Sequence, residues 1–113
     1  MNLGEKYKQA WFDYKDNVER ETLPSLIDDN FEFRSLTKGP PKAVESKADI
    51  LERLSQIGAT IKTTPEVHYS SDDILVMSVL QEWDGGKGIV MVSVLFKNNK
   101  AVQMIATKGD PWE

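Results

Sequence analysis

Three consecutive apolar runs in the second half of the chain constrain its fold more than any other feature. Asp73–Trp83, Gly88–Phe96 and Lys100–Thr107 are rich in Val, Ile, Leu and Met, and the turn-forming clusters Asp84-Gly85-Gly86-Lys87 and Lys97-Asn98-Asn99 separate them. β-Branched residues in runs this short, interrupted by such turns, predict antiparallel hairpins rather than helix. Apolar side chains fall on both alternating faces of these strands, so each face has to be covered.

Those strands belong to a chain of 113 residues, the size of one domain that buries roughly two-thirds of the surface its unfolded form exposes. The chain has no cysteine, which removes disulfides, thiolate catalysis and sulfur-ligated metal and fits a reducing, cytoplasmic setting. The first residues lack the apolar run of a signal peptide, and no stretch is long enough to span a bilayer, so no membrane partner is expected. A net charge of −4, with basic residues scattered among acids, argues against a nucleic-acid partner, whose phosphates are held by clustered Lys and Arg.

Upstream of the strands the pattern is helical. Asn2 and Glu5 stand at the spacing of a capping box, and Leu3, Tyr7, Ala10, Trp11, Tyr14 and Val18 recur on one side of an amphipathic helix whose polar side includes Lys15. Thr22 starts a second, short helix with Pro24 in its first turn, ending at Asp28-Asp29-Asn30. Phe31 and Phe33 alternate with Glu32 and Arg34 in a half-buried strand that runs into the Gly39-Pro40-Pro41 loop. Ser46 and Asp49 cap a third helix with Ile50, Leu51, Leu54 and Ile57 as its apolar stripe and Gly58 as a left-handed stop. Ala59 to Tyr69 alternates again, with Pro65 marking an edge strand or a bulge.

Helix, helix, strand, helix and a four-strand meander make an α+β plan, with helices on one face of an antiparallel sheet. This order, the phrase Leu26-Ile27-Asp28-Asp29-Asn30-Phe31-Glu32-Phe33 after paired helices, and the closing Leu95-Phe96-Lys97-Asn98-Asn99-Lys100-Ala101-Val102 resemble the nuclear transport factor 2-like (NTF2-like, cystatin-like) superfamily, in particular its SnoaL-like proteins. The resemblance covers almost the whole chain. It implies a cone-shaped fold with a pocket between the sheet and the first helix, often in homodimers, and it implies no single activity.

Register decides which side chains meet inside such a cone. A three-residue loop at Lys97-Asn98-Asn99, with Asn99 left-handed, puts Val90, Val92, Val94 and Phe96 on one face with Val102, Met104 and Ala106, whereas a two-residue turn mixes Gln103 and Thr107 into it. A loop of two or four residues around Gly85-Gly86 adds Leu75, Met77, Val79, Gln81 and Trp83 to that face. Trp11, Tyr14, Phe33, Met77, Gln81, Trp83, Val92 and Met104 therefore surround the interior, either as plain core or as an apolar ligand pocket with Tyr14 and Gln81 as its polar handles. Arg34, where the first strand leaves for the Pro-Pro loop, is a candidate clamp for a carboxylate at the pocket mouth, or else a surface partner of Glu32.

Acid–base catalysis needs a titratable group in a shielded pocket, and none falls on this face. The ketosteroid isomerases of the resembled superfamily carry carboxylates at positions that match Arg34 or Ser35 and Val92, and both are missing here. The Asp-Arg-Asp set of the related limonene epoxide hydrolases finds no match either. The single histidine, His68, has the parity of Lys62 and Glu66 and faces solvent, and one histidine without cysteine makes no ordinary zinc site. The glycines near Gly85 join two strands rather than opening a helix, so they do not form a phosphate loop. No cofactor is expected. These residues lead to a non-catalytic module that binds a small apolar molecule or dimerises. The alternatives are an isomerase, cyclase or dehydratase using Tyr14, and an adaptor whose cavity is filled by its own side chains. With the inner face so assigned, the outer face of the sheet carries Ile74, Val76, Leu80, Ile89, Met91, Leu95, Ala101 and Ile105, interspersed with Ser78, Glu82, Ser93, Gln103 and Thr107, with no helix left to cover it, the mixed composition of a homodimer interface.

Overall fold

The computed structural model describes residues 1–36, 44–61, 64–83 and 85–108; the Gly39-Pro40-Pro41 loop lies outside them. Helices α1 (Leu3–Lys15) and α2 (Thr22–Ser25) precede strand β1 (Ile27–Ser35). Helix α3 (Lys47–Ile57) runs into a 3₁₀ turn at Gly58–Thr60, and β2 (Glu66–Ser70), β3 (Ile74–Trp83), β4 (Gly86–Lys97) and β5 (Lys100–Lys108) complete the chain. The five strands form one sheet in the order β1-β5-β4-β3-β2. All neighbours are antiparallel except β1, which returns parallel to β5. Pro65 directly precedes β2, an edge strand where a missing N–H costs no ladder bond.

The inner face is built as alternation predicts. Leu75, Met77 and Val79 pair with Val94, Val92 and Val90, and Val94 and Val92 pair with Met104 and Ala106. The route to that register differs from expectation. Lys97 pairs with Lys100 across a two-residue turn whose Asn98 and Asn99 both have positive φ, 54° and 65°, as a type I′ turn demands. The pairing then slips by one residue, from Phe96 with Ala101 to Leu95 with Gln103, leaving Val102 as the extra residue of a bulge. Ala101 takes the buried slot assigned to Val102, and the bulge keeps Gln103 out of the core.

Helix α1 lays Leu3, Tyr7, Ala10 and Trp11 on the sheet and stops at Lys15, so Val18 stands exposed rather than on the stripe. Lys15 occupies a buried place instead of a solvated one. Its Nζ donates to the Ile61 carbonyl at 3.0 Å and to Asp16 at 2.6 Å and lies 4.2 Å from the Phe12 ring centre, so the ammonium is satisfied where it is buried. The helix begins with the Asn2 side chain accepting from the Glu5 N–H, but the other capping partner comes from far along the chain. Leu3 N–H donates to Asp72 Oδ1, Asn2 Nδ2 donates to the Ser70 carbonyl, and Gly4 N–H donates to the Ser71 carbonyl. A Cβ on Gly4 would come within 2.5 Å of Ser70 Oγ and 3.1 Å of the Ser71 carbonyl oxygen, so a larger residue would have to displace the Ser70 hydroxyl.

Helix α3 opens with the full capping box of Ser46 and Asp49. The Ser46 N–H and hydroxyl, and after them the charge of Arg53, hold the Asp49 carboxyl below the usual carboxylate range. At the other end, Gly58 is not left-handed: its φ is −52°, and the chain continues into the 3₁₀ turn. Glycine is needed because a Cβ would come within 2.8 Å of the Lys15 carbonyl oxygen, where α1 and α3 meet. Asp28, Asp29 and Asn30 belong to β1 rather than ending α2, and they sit in an irregular stretch of its pairing with β5.

Candidate functional site

A cavity of about 190 Å³ opens between the inner face of the sheet and α3, with Trp11 of α1 closing one side. β1 supplies Phe33 and Ser35, and α3 supplies Ile50, Arg53 and Leu54. Ile61 follows the 3₁₀ turn, and the meander contributes Val79, Gln81, Val90, Val92, Met104 and Ala106. Strand alternation puts Phe33, Val79, Gln81, Val92 and Met104 there, since each points to the face the helices cover. Gln81 is held by its neighbours: Nε2 donates to Thr60 Oγ1 at 3.0 Å, and Ile61 bridges to the same residue.

Of the residues singled out in the sequence, Trp11, Phe33, Gln81, Val92 and Met104 line the cavity together. Met77 is fully buried on the same face but lies outside the lining, and the Trp83 side chain falls outside the described part of the structure. Tyr14 is not in the lining. Its ring lies 4.7 Å from the Arg20 guanidinium carbon, and Arg20 Nε donates to its carbonyl. The buried phenol is Tyr7, one turn before Trp11, whose ring meets Phe96 edge-on at 5.6 Å and whose hydroxyl has only the Met104 sulfur, 4.0 Å away. Burial pushes that phenol well above its ordinary value.

Arg34 is exposed and no part of the cavity, because strand alternation turns it to the opposite face from Phe33. Its Nη2 sits 3.5 Å from Glu32 Oε2, the surface pair that was its alternative. The arginine in the cavity wall is Arg53. One of its Nη atoms donates to Glu45, its guanidinium carbon lies 5.6 Å from the Phe33 ring centre, and its Nε is buried without a hydrogen-bond partner among the described residues. No role was expected for it from the sequence. Its spacing of three from Ile50 was the available signal, since such a flank residue reaches either water or the interior on a long stem.

Ser35 and Val92, which stand where the isomerases carry carboxylates, do line the cavity, and neither can hold or release a proton near neutrality. Among the described lining residues there is no carboxylate and no histidine. His68 is exposed on β2, its Nε2 2.9 Å from Ser78 Oγ. No helix among the described residues is long and apolar enough to cross a membrane.

No protein-family model matches the sequence, and no curated protein matches it. Solved structures do. A Rhodopseudomonas palustris protein provisionally called an isomerase is 14% identical with a TM-score of 0.71, over 96% of this chain and 90% of its own. An NTF-2 like protein of unknown function from Burkholderia xenovorans LB400 is 13% identical with a TM-score of 0.68, over 98% of this chain and 86% of its own. Wild-type IdmH from Streptomyces antibioticus, provisionally called a polyketide cyclase, is 12% identical with a TM-score of 0.66, over 93% of this chain and 91% of its own. At such identities the likeness is one of fold: the chain has the NTF2-like fold that its element order resembles, an N-terminal helix packed on a curved five-stranded sheet.

Proposed function

We propose that this chain is a non-catalytic module that takes a small, mainly apolar molecule into the cavity between the sheet and α3. One observation carries the reading: the cavity is open and lined by aromatic and aliphatic side chains, and its described lining offers no carboxylate or histidine to act as acid or base. The open volume also argues against an adaptor whose interior is filled by its own side chains. An engineered cavity of about 150 Å³ takes benzene, so about 190 Å³ suits a single ring with a short substituent.

The test is titration with a one-ring hydrocarbon, read from the indole resonance of Trp11, in the native protein and in Val92→Phe. Binding is expected in the first and lost in the second, which keeps its circular dichroism, with affinity constant between about pH 5 and 8. The enzyme alternative draws on the names of two neighbours, an isomerase and a polyketide cyclase. Chemical conversion of a bound probe that disappears in Val92→Phe would establish it instead. The proposal includes a homodimer formed through the outer face of the sheet. Absence of cysteine accords with a reducing, cytoplasmic setting.

A further inference from the structure

We infer that Arg53 makes the cavity selective for an uncharged molecule bearing one hydrogen-bond acceptor, against both the bare hydrocarbon and the corresponding acid. The inference rests on the reading of the cavity as a ligand site and specifies what that site prefers.

Two facts about Arg53 carry it. Among the described residues its Nε is buried and has no hydrogen-bond partner, although the residue forms part of the cavity wall and its side chain as a whole is 38% exposed. A buried donor left unmade is costly, and an acceptor brought in by a ligand removes that cost after a small rotation of the guanidinium. Among the described residues one hydrogen bond anchors the guanidinium, from Nη to Glu45, together with its face-on approach to Phe33, so such a rotation breaks no network.

The second fact is charge. An arginine in an apolar wall ordinarily selects a carboxylate, but here Glu45 already holds the cation, and Asp49 and Glu52 stand with Glu45 around the outer side of the same guanidinium. These three carboxylates and Arg53 line one outer depression, so the charge there is net negative. A ligand carboxylate would enter a low-dielectric cavity as a further negative charge, with its desolvation uncompensated, whereas a neutral carbonyl oxygen accepts from Nε–H without that repulsion. Gln81 and Ser35, the other polar side chains in the lining, are neutral and add no positive charge.

Three near-isosteric probes separate the terms: ethylbenzene has no acceptor, acetophenone has a neutral one, and benzoate has a charged one. In the native protein acetophenone is expected to bind on the order of tenfold more tightly than ethylbenzene, and benzoate more weakly than either. Arg53→Met should bring the acetophenone-to-ethylbenzene ratio towards one. Glu45→Gln, which leaves the arginine in place and frees its charge, should raise benzoate affinity relative to acetophenone. Equal binding of acetophenone and ethylbenzene by the native protein overturns the role of Arg53 while leaving the cavity reading intact. Failure of all three to bind overturns the cavity reading and this inference with it. Tighter binding of benzoate than acetophenone in the native protein overturns the charge argument alone.

Discussion

Tyr7 shows how a single side chain can be fixed by packing yet cost the fold something. Its ring fills the space beneath the sheet against Phe96, while its hydroxyl finds only a thioether sulfur at the outer limit of contact, a weak acceptor. Removing the oxygen is therefore expected to matter little: Tyr7→Phe should stay within about 1 kcal/mol of the native protein in a urea melt, whereas Tyr7→Ala should lose about 3 to 5. The phenol's folded pKa lies above its unfolded one. Below about pH 10 both states are protonated and the contribution is intact; above it only the unfolded chain ionises, so stability falls by about 1.4 kcal/mol per pH unit. The fall should be shallower by that amount in Tyr7→Phe, and identical slopes would contradict the burial of this phenol. At this scale the sequence revealed the strand residues of the cavity and Trp11 of α1, and missed Arg53 on α3. Alternation gives a strand residue one of two faces, which is why Phe33, Gln81 and Val92 could be placed. Tyr7 and Tyr14 lie seven residues apart on one side of α1, and only the end of the helix at Lys15 separates the buried one from the one stacked on Arg20. Arg34 is fixed outward by its strand, in the surface pair with Glu32 that was its alternative, while Arg53, for which no role was expected, is brought inward by a helix flank.

Elements were legible where two signals agreed and obscured where one residue could do two jobs. The β4–β5 hairpin regains the expected faces from Gln103 onward by a different path, with Ala101 inside in place of Val102: a two-residue turn and a bulge together shift the register by as much as is needed to restore the alternation of a three-residue loop. Two adjacent asparagines serve both geometries, so composition alone could not choose between them. Gly58 is the clearest case of double meaning. A glycine after an apolar stripe reads as a left-handed stop, but here it is a right-handed residue placed against the backbone of Lys15. Gly58→Ala is expected to destabilise by about 1 to 3 kcal/mol despite alanine's better helix propensity, because the α1–α3 contact must open. Gly58→Asn discriminates between the explanations. Asparagine is tolerated at left-handed positions, so a mild effect would restore the stop, whereas a loss at least as large as alanine's in the urea midpoint supports the close approach.

For the whole molecule, the decisive asymmetry is that helices cover one face of the sheet and no described helix covers the other. Met91 and Leu95 are 43% and 38% exposed, and Ile74, Val76, Leu80, Ile89 and Ile105 around them are only partly buried. A contiguous apolar patch of this kind on a two-fold dimer places the same side chains on both subunits, so Met91→Lys introduces two charges into one contact. It is expected to give a folded monomer by sedimentation at micromolar concentration; a native protein that is itself monomeric there, or a variant that stays dimeric, would refute the interface. The α+β plan and the family of folds were legible because element order and the hairpins carry them, whereas the cavity's position against α3 depends on packing angles that no periodicity encodes. The attachment of the first helix carries a consequence of another kind, in the order of events during synthesis. Asn2, Leu3 and Gly4 take hydrogen-bond partners from Ser70, Ser71 and Asp72, and β1 has β5, whose first residue is Lys100, as its neighbour in the sheet. The first helix thus leaves the ribosome with its local Asn2–Glu5 cap bond alone, and β1 without its neighbour in the sheet. Closure of the cone waits on β5, which is translated after the other four strands, and until then the apolar side of α1 depends on contacts that are not those of the finished protein.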